Sequence, residues 1–463
     1  MNKEQLKFII KNILEYDNEY SQESSDAQER IFSNVWKSLH ENTFHFEEMD
    51  TLHLNHNGKK RIVKQYKNSL SVENILSIYI KKLLDRKFRV TYPNRNKIIK
   101  SLFNTIAAIV QMENFTIVRF DLKNYFNTIS SEYVFEKYIK DKISNRNELY
   151  LVKNYVEATK FAYAGLCTSN VIAEIISRYF DKNLYQSLLS HGLIFYERYI
   201  DDGILIFNDH VDKDEIEYIL NKTILEIFND NSIKCRKCKT KFNSEKFQYV
   251  SKKNLSSGID TAVNFLGYEF YFSKNSDASK IDSIIKYGIT DGKRKKYERK
   301  IDKLISFYTQ AREQTSQELE LLRHRIAAFT SRQVYITHHK NKNIWHVKGF
   351  ISNYGELRFF LDTRLIESQT ASFLHNMIFD AFRRAQLSMF PYFLKGKSKD
   401  SYSLYTNMKS NKTFLFVQNI GYDYQSLVKL CKKIGINNYT TDNRRRSYNS
   451  LVKDYLIKVR VGY

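Results

Sequence analysis

Apolar residues recur three and four positions apart at both ends of the first 85 residues: Leu6, Ile9, Ile10, Ile13 and Leu14, then Ile75, Ile78, Ile80, Leu83 and Leu84. That spacing lines one face of a helix, so residues 1–85 are expected to be largely helical. In RKFRVTYPNRNKIIKSLFNTI (residues 86–106) the pattern predicts a short strand from Phe88 to Tyr92, stopped by Pro93, and then a basic helix. FTIVRFDLKNYFNTI, Phe115 to Ile129, opens as a buried-type apolar strand and ends on Asp121. Within AYAGLCTSNVIAEIISRYF (162–180), Gly165 permits a close backbone approach and Ser169 is the expected cap of a helix. Val171, Ile172, Ile175 and Ile176 form that helix's buried face, and Glu174 is expected to be exposed. HGLIFYERYIDDGILIF (191–207) places two apolar arms around an Asp-Gly step, the signature of a β-hairpin whose turn carries Asp201 and Asp202. Further on, ELELLRHRIAAFTSRQVYI and NIWHVKGFISNYGELRFFLDTRLI read as helices. QVYITHH between them is strand-like, which points His338 and His339 apart and argues against a metal pair.

An acid at the mouth of an apolar strand is costly unless it meets a cation. Asp121 with Asp201 and Asp202 supplies the oxygen-rich set that Mg²⁺ prefers. Two such ions, roughly 3.5–4 Å apart, stabilise the attacking and leaving oxygens of a phosphoryl transfer. Arg86, Lys87, Arg89, Arg95 and Lys97 cluster within twelve residues and suit a triphosphate or a phosphate backbone.

The chain has 463 residues, room for two or three domains, and 42% apolar with 14% aromatic residues fits a globular protein. A net charge of +23 implies an acidic partner, most simply nucleic acid. The excess is uneven: residues 281–463 carry +18 and residues 1–280 only +5. The basic seam Arg323, Arg325, Arg332, Lys340, Lys342 and Lys348, interleaved with Tyr and Trp, suits stacking on unpaired bases. The triplet Arg444, Arg445, Arg446 reads as an exposed RNA contact. Cys235 and Cys238 form a single CxxC without a second pair for zinc. There is neither a signal-peptide core nor a run near the ~18 apolar residues of a membrane span. A cytoplasmic protein with reduced thiols is expected.

In order, FDLKNYFNTI, GLCTSNVIAE and RYIDDGILIF resemble motifs A, B and C of reverse transcriptases. KCKTKF (Lys237 to Phe242) resembles motif D, and NFLGYEF (Asn264 to Phe270) resembles motif E, the primer grip. The resemblance implies an α+β right-hand polymerase of fingers, palm and thumb, with an antiparallel palm sheet and a mostly helical basic C-terminal region. The corresponding divisions are an N-terminal extension with fingers (1–110), palm (111–275), thumb (276–350) and an RNA-binding region (351–463). It implies that Asp121, Asp201 and Asp202 are catalytic and hold two Mg²⁺ ions (Mn²⁺ as a substitute), with Leu122 as a further metal contact. Phe126 matches the aromatic gate against a ribose 2′-OH. Tyr125, Arg89, Arg95, Lys97, Gly165 and Lys239 would complete the dNTP site. Tyr199, Ser169, Phe265, Leu266, Gly267 and Tyr268 would meet primer and template. The thumb segment DGKRKKYERK adds Lys293, Arg294, Lys295 and Lys296 to the RNA-binding set. One departure is that the Pro-Gln pair usual before the motif B glycine is replaced by Tyr163 and Ala164.

A compact polymerase followed by a basic tail resembles the bacterial reverse transcriptases of antiphage defence, including the abortive-infection type. That implies a structured non-coding RNA as partner and template, a cDNA product, dNTP substrates and no membrane, with a homo-oligomer as an option. The alternatives are template-independent or protein-primed synthesis, for which Tyr463 is one candidate primer among the chain's 33 tyrosines, a retron- or group II intron-like enzyme, and a non-catalytic RNA-binding scaffold.

Overall fold

The computed structural model describes residues 2–16, 25–56, 59–256, 259–274, 283–311, 315–339, 342–387, 403–439 and 444–460. The side chains of His338, His339 and Lys342, together with Lys340 and Tyr463, lie outside what it describes. The chain divides into two compact units: Met1–Ile98 with Met112–Lys253, and Ile99–Gln111 with Asn254–Tyr463. The NFLGYEF segment thus falls in the second unit, not with the sheet that carries the three aspartates.

The first unit begins with α1 (Lys3–Tyr16) and α2 (Ser25–Glu41). Residues 50–65, expected within a helical run, instead form an antiparallel hairpin of β1 (Asp50–His56) and β2 (Lys59–Gln65). The apolar residues of β1 alternate with polar ones, as in Leu52-His53-Leu54, and no helical stripe spans the two strands. After α3 (Val72–Phe88) the expected strand is absent. Arg89 caps the helix in a left-handed conformation (φ 47°), and residues 90–94 run without regular structure into α4 (Arg95–Ile109), which belongs to the second unit from Ile99 on. Next come β3 (Thr116–Asp121), α5 (Tyr125–Thr128), α6 (Ser131–Val134), α7 (Arg146–Thr159), α8 (Ser169–Leu188), β4 (Leu193–Tyr199), β5 (Asp202–Phe207), α9 (Lys213–Phe228) and β6 (Gln248–Ser251).

Four of these strands make one sheet in the order β4-β5-β3-β6, every neighbour antiparallel. Alternation along β3 and β5 separates the faces. Val118, Phe120, Leu205 and Phe207 join the core with Val171, Ile172, Ile175, Ile176 and Phe180 of α8. Arg119, Asp121 and Asp202 occupy the opposite face. Gly203, opposite Phe120, has no side chain because a Cβ there would come within 2.2 Å of the Phe120 ring.

The second unit holds the antiparallel sheet β7 (Thr261–Phe265), β8 (Tyr268–Lys274) and β9 (Ser283–Ile289), followed by α10 (Asp291–Thr309) and α11 (Ser316–Thr330). Phe103 and Phe360 stack on Tyr287 in its core, and Phe103 meets Phe270 edge-to-face. β10 (Arg332–His339) pairs antiparallel with β11 (Lys342–Lys348) and parallel with β12 (Thr413–Phe416). NIWHVK is therefore strand, not helix. Its Ile344, Trp345 and Val347 are exposed on a hairpin, where β-branched and aromatic residues favour extended backbone. The remainder is mostly helical: α12 (Phe350–Tyr354), α13 (Ser368–Arg384) and helices Leu404–Lys409, Tyr424–Lys433 and Tyr448–Lys458.

Candidate active site

The register of β3 on β5 sets Asp121 directly opposite Asp202. Directly opposed residues share a face, so the two carboxylates emerge side by side at the end of the sheet. Asp201 sits in the β4–β5 turn, and its carbonyl accepts a bond from the Leu122 amide (3.0 Å). The turn is held by Ile200 at φ +62°, a left-handed conformation that a β-branched side chain rarely adopts.

Each strand carboxylate is met by a cation that the motif pattern does not identify. Lys246 Nζ lies 2.5 Å from Oδ2 of Asp121, and Asn243 Nδ2 donates to Oδ1 at 2.7 Å. Arg119 donates to Asp202 Oδ1 at 2.5 Å and to the Lys246 carbonyl at 3.4 Å. Arg119 is legible in principle, since it lies two residues before Asp121 on one strand face. Lys246 arrives from a separate segment, and nothing local marks it. Asp201 makes no ion pair among the described residues, although the Lys246 charge acts on it from a distance. Burial, then the Asp202 and Asp121 charges, push its carboxyl up to about 6.

Among the described residues no group of three or more His, Cys, Asp or Glu side chains stands ready to hold a metal ion. Two of the three carboxylates are engaged by protein cations instead. The donor set nevertheless fits a hard divalent ion. It is all oxygen, it concentrates three acids on one rim, and burial with two like charges raises the carboxyl of one of them. Asp121, Asp201 and Asp202 are the groups that would hold the ion once Lys246 and Arg119 give way.

Beside the rim lies a cavity of about 190 Å³ lined by Tyr92, Pro93, Tyr125, Phe126, Asn170, Ala173, Glu174, Tyr199 and Ile200. Asn124 (φ 52°) turns the chain after β3, and the Tyr125 and Phe126 rings then meet edge-to-face at 5.2 Å. Tyr125 is buried, its hydroxyl 2.5 Å from Ser177 Oγ. Phe126 is only partly buried and presents its ring to the cavity with Tyr199. Arg89 and Lys97 are exposed, while Tyr92 and Pro93 of the same segment reach the cavity wall.

Glu174 is not exposed. It is 6% accessible, lines the cavity and forms a buried ion pair with Arg198. It stands three residues after Val171, on the apolar stripe of α8, where a charge must find a partner. Ser169 is not the cap: α8 starts at Ser169 itself, after Thr168, and the buried Ser169 hydroxyl bonds the Tyr163 carbonyl. Gly165 (φ +97°) does allow a close approach, made by the β2 backbone: a Cβ would lie 2.4 Å from the Lys64 carbonyl oxygen. Lys64 N–H donates to the Ala164 carbonyl (2.9 Å), and its ammonium covers the Tyr163 ring at 4.6 Å. Lys239 is exposed, 5.6 Å from the Phe161 ring centroid. Cys238 is buried and, like Cys235, free.

Within the second unit, Phe265 and Tyr268 pair across a two-residue turn of Leu266 (φ 50°) and Gly267 (φ 89°). Both aromatic side chains are buried, and the Tyr268 hydroxyl bonds the Asn353 carbonyl, so only the turn itself is available to a ligand. Lys293, Lys295 and Lys296 are exposed on α10, with Lys295 paired to Asp291 at 2.7 Å. Arg294 is buried, donating to the Ile289 carbonyl and to Gln369 Oε1, and cannot serve as an RNA contact. Arg323 pairs with Glu320, Arg325 is half-buried against Phe307, and Arg332 is half-buried in β10. Of the terminal triplet, Arg444 and Arg445 are exposed, Arg445 lying over Tyr424. Arg446 is partly buried and paired with Asp454.

No family model and no curated protein matches the chain. Among solved structures it is similar to telomerase from Candida albicans in complex with a TWJ fragment of telomeric RNA, with 13% identity over 84% of this chain and a TM-score of 0.34. It is also similar to the Candida tropicalis telomerase in the corresponding complex, with 10% identity over 94% of this chain and a TM-score of 0.36. The chain spans 62% and 65% of the length of these two. No helix among the described residues is long and apolar enough to cross a membrane.

Proposed function

We propose that this protein is an RNA-directed DNA polymerase. The observation that carries the reading is the placement of Asp121 opposite Asp202, with Asp201 in the adjoining turn, next to a cavity walled by Phe126, Tyr125 and Tyr199. A primer 3′-OH attacks the α-phosphate of a dNTP, the P–O bond to the β-phosphate breaks, and pyrophosphate leaves. Divalent ions at the rim, when bound, neutralise charge on the attacking and leaving oxygens. The chain's own part is to hold Asp121, Asp201 and Asp202 on one edge and to seat the sugar against Phe126. An aromatic wall excludes a ribose 2′-OH and offers it no hydrogen bond. The layout of a compact catalytic part followed by a basic tail further supports a defence-type enzyme working on a structured non-coding RNA. The exposed cations of α10 and Arg444 and Arg445 are suited to phosphate contacts.

The full-length protein should incorporate dNTPs on an RNA template with Mg²⁺, and Asp121→Asn or Asp201→Asn should abolish incorporation. Activity that survives both substitutions overturns the reading. One observation favours a template-independent variant: Tyr163 and Ala164, which replace the usual Pro-Gln, are covered by Lys64 of β2. Incorporation without added template, or DNA that stays covalently attached to denatured protein, identifies that variant.

A further inference from the structure

Arg198, on β4, is 4% exposed at its side chain, and each of its five N–H groups has an acceptor. Nε donates to Asp181 Oδ1 (2.8 Å), Nη1 to Glu174 Oε1 (3.2 Å) and to the Ile200 carbonyl (2.8 Å), and Nη2 to Glu174 Oε2 (2.8 Å) and Asp181 Oδ2 (2.9 Å). Tyr196 adds its hydroxyl to Asp181 Oδ1 at 2.6 Å. Arg198 and Glu174 are buried and Asp181 is partly exposed; such an ion triad is weak as a stabilising device, because apolar side chains of similar volume often do as well. What apolar side chains cannot do is hold a carbonyl.

The carbonyl held is that of Ile200, the residue in the left-handed conformation immediately before Asp201. Such a conformation costs about 1–3 kcal/mol and persists only where the surroundings enforce it. The same planar group grips Glu174, whose side chain lines the cavity beside Phe126 and Tyr199. We propose that Arg198, anchored by Asp181, is a positioning residue that locks the turn bearing Asp201 to the cavity wall at Glu174. Ion placement and substrate seating are thereby set by one guanidinium. The functional consequence rests on the polymerase reading; the mechanical link does not.

The test uses the full-length protein and the variants Arg198→Lys and Asp181→Asn. Lysine keeps the charge but replaces a five-donor fork with one mobile ammonium, which cannot span Ile200, Glu174 and Asp181 together. Mn²⁺ affinity, measured by electron paramagnetic resonance without nucleotide, should fall about 10- to 100-fold in Arg198→Lys. In EDTA, hydrogen exchange should accelerate at the Leu122 amide, the donor to Asp201, and not at Ile204 or Ile206 further along β5. kcat for dNTP incorporation should fall by more than KM rises. Folded Arg198→Lys with wild-type Mn²⁺ affinity and wild-type exchange at Leu122 overturns the proposal, as does acceleration spread evenly along the sheet. If Arg198→Lys does not fold, Asp181→Asn carries the test. It should show the same local pattern more weakly, and an unchanged pattern refutes the link. A wild-type protein that incorporates no dNTP, yet whose variants show the Mn²⁺ and exchange shifts, refutes the polymerase reading and leaves this one standing.

Discussion

The ammonium of Lys246 lies 2.5 Å from the carboxylate of Asp121, the most buried of the three rim acids. Lys246 is more than one-third exposed, so it can swing away when an ion arrives. Its removal leaves a buried carboxylate with one neutral partner, Asn243. Lys246→Met should therefore lose about 1–3 kcal/mol of stability in EDTA. Millimolar Mg²⁺ should restore most of that loss. Calorimetry in the two buffers checks this; equal Mg²⁺ stabilisation of wild type and variant would mean that the ion does not meet Asp121.

Asp201, with its carboxyl pushed up to about 6 by burial and by its two acidic neighbours, makes a pH prediction. From its ordinary 3.8 up to about 6, the folded protein keeps a proton that the unfolded chain has released. Ion-free stability should accordingly fall as pH rises through that window and level off above it. Mg²⁺ competes with the same proton, so its affinity should rise over the same interval. Asp201→Asn should melt about 2–4 °C higher than wild type in EDTA at pH 7.5. It should gain less from Mg²⁺ than the wild type does. Melting curves between pH 4 and pH 8 test both signs.

Phe126 stands on the cavity wall beside Tyr125. Phe126→Val should admit ribonucleotides and reduce discrimination against them about 10- to 100-fold, with little change in dNTP turnover. Parallel single-nucleotide incorporation with dNTPs and rNTPs measures the ratio.

Gly165→Ala puts a methyl group 2.4 Å from the Lys64 carbonyl at φ +97°. The variant should lose about 1–3 kcal/mol or release β2 from the loop. Thermal melting, with proteolysis near residues 59–65, reads both outcomes.

Arg294 and its neighbours on α10 separate folding from binding. Arg294→Gln should lower the melting temperature, because it removes the buried bonds to the Ile289 carbonyl and Gln369. Lys296→Ala should leave melting unchanged and flatten the salt dependence of RNA binding. The log–log slope should shrink by about one unit for each phosphate that is no longer neutralised. RNA titrations at several salt concentrations distinguish the two.

Much of the local structure is legible from short-range pattern. The β3 strand ending in Asp121, the hairpin around Asp201 and the apolar face of α8 follow from two- and 3.6-residue periodicities that act within a dozen residues. The same logic misassigns β1–β2 and β11. Leu52 and Leu54 of β1 and Ile344, Trp345 and Val347 of β11 are exposed, so no buried face marks these strands. Glu174 reads as solvated because helical spacing alone does not say what lies across from it.

By itself, then, the amino-acid order determined β3, the β4–β5 hairpin and α8, and that three acids and an aromatic pair lie at the ends of those strands. Only the tertiary structure decided that Asp121 faces Asp202 rather than Asp201, because strand register is set by packing across the whole sheet. It also decided that Lys246, Arg119 and the Arg198–Glu174–Asp181 triad surround that edge. These charges are brought together from distant segments, and a buried charge takes its partner from space rather than from the neighbouring chain.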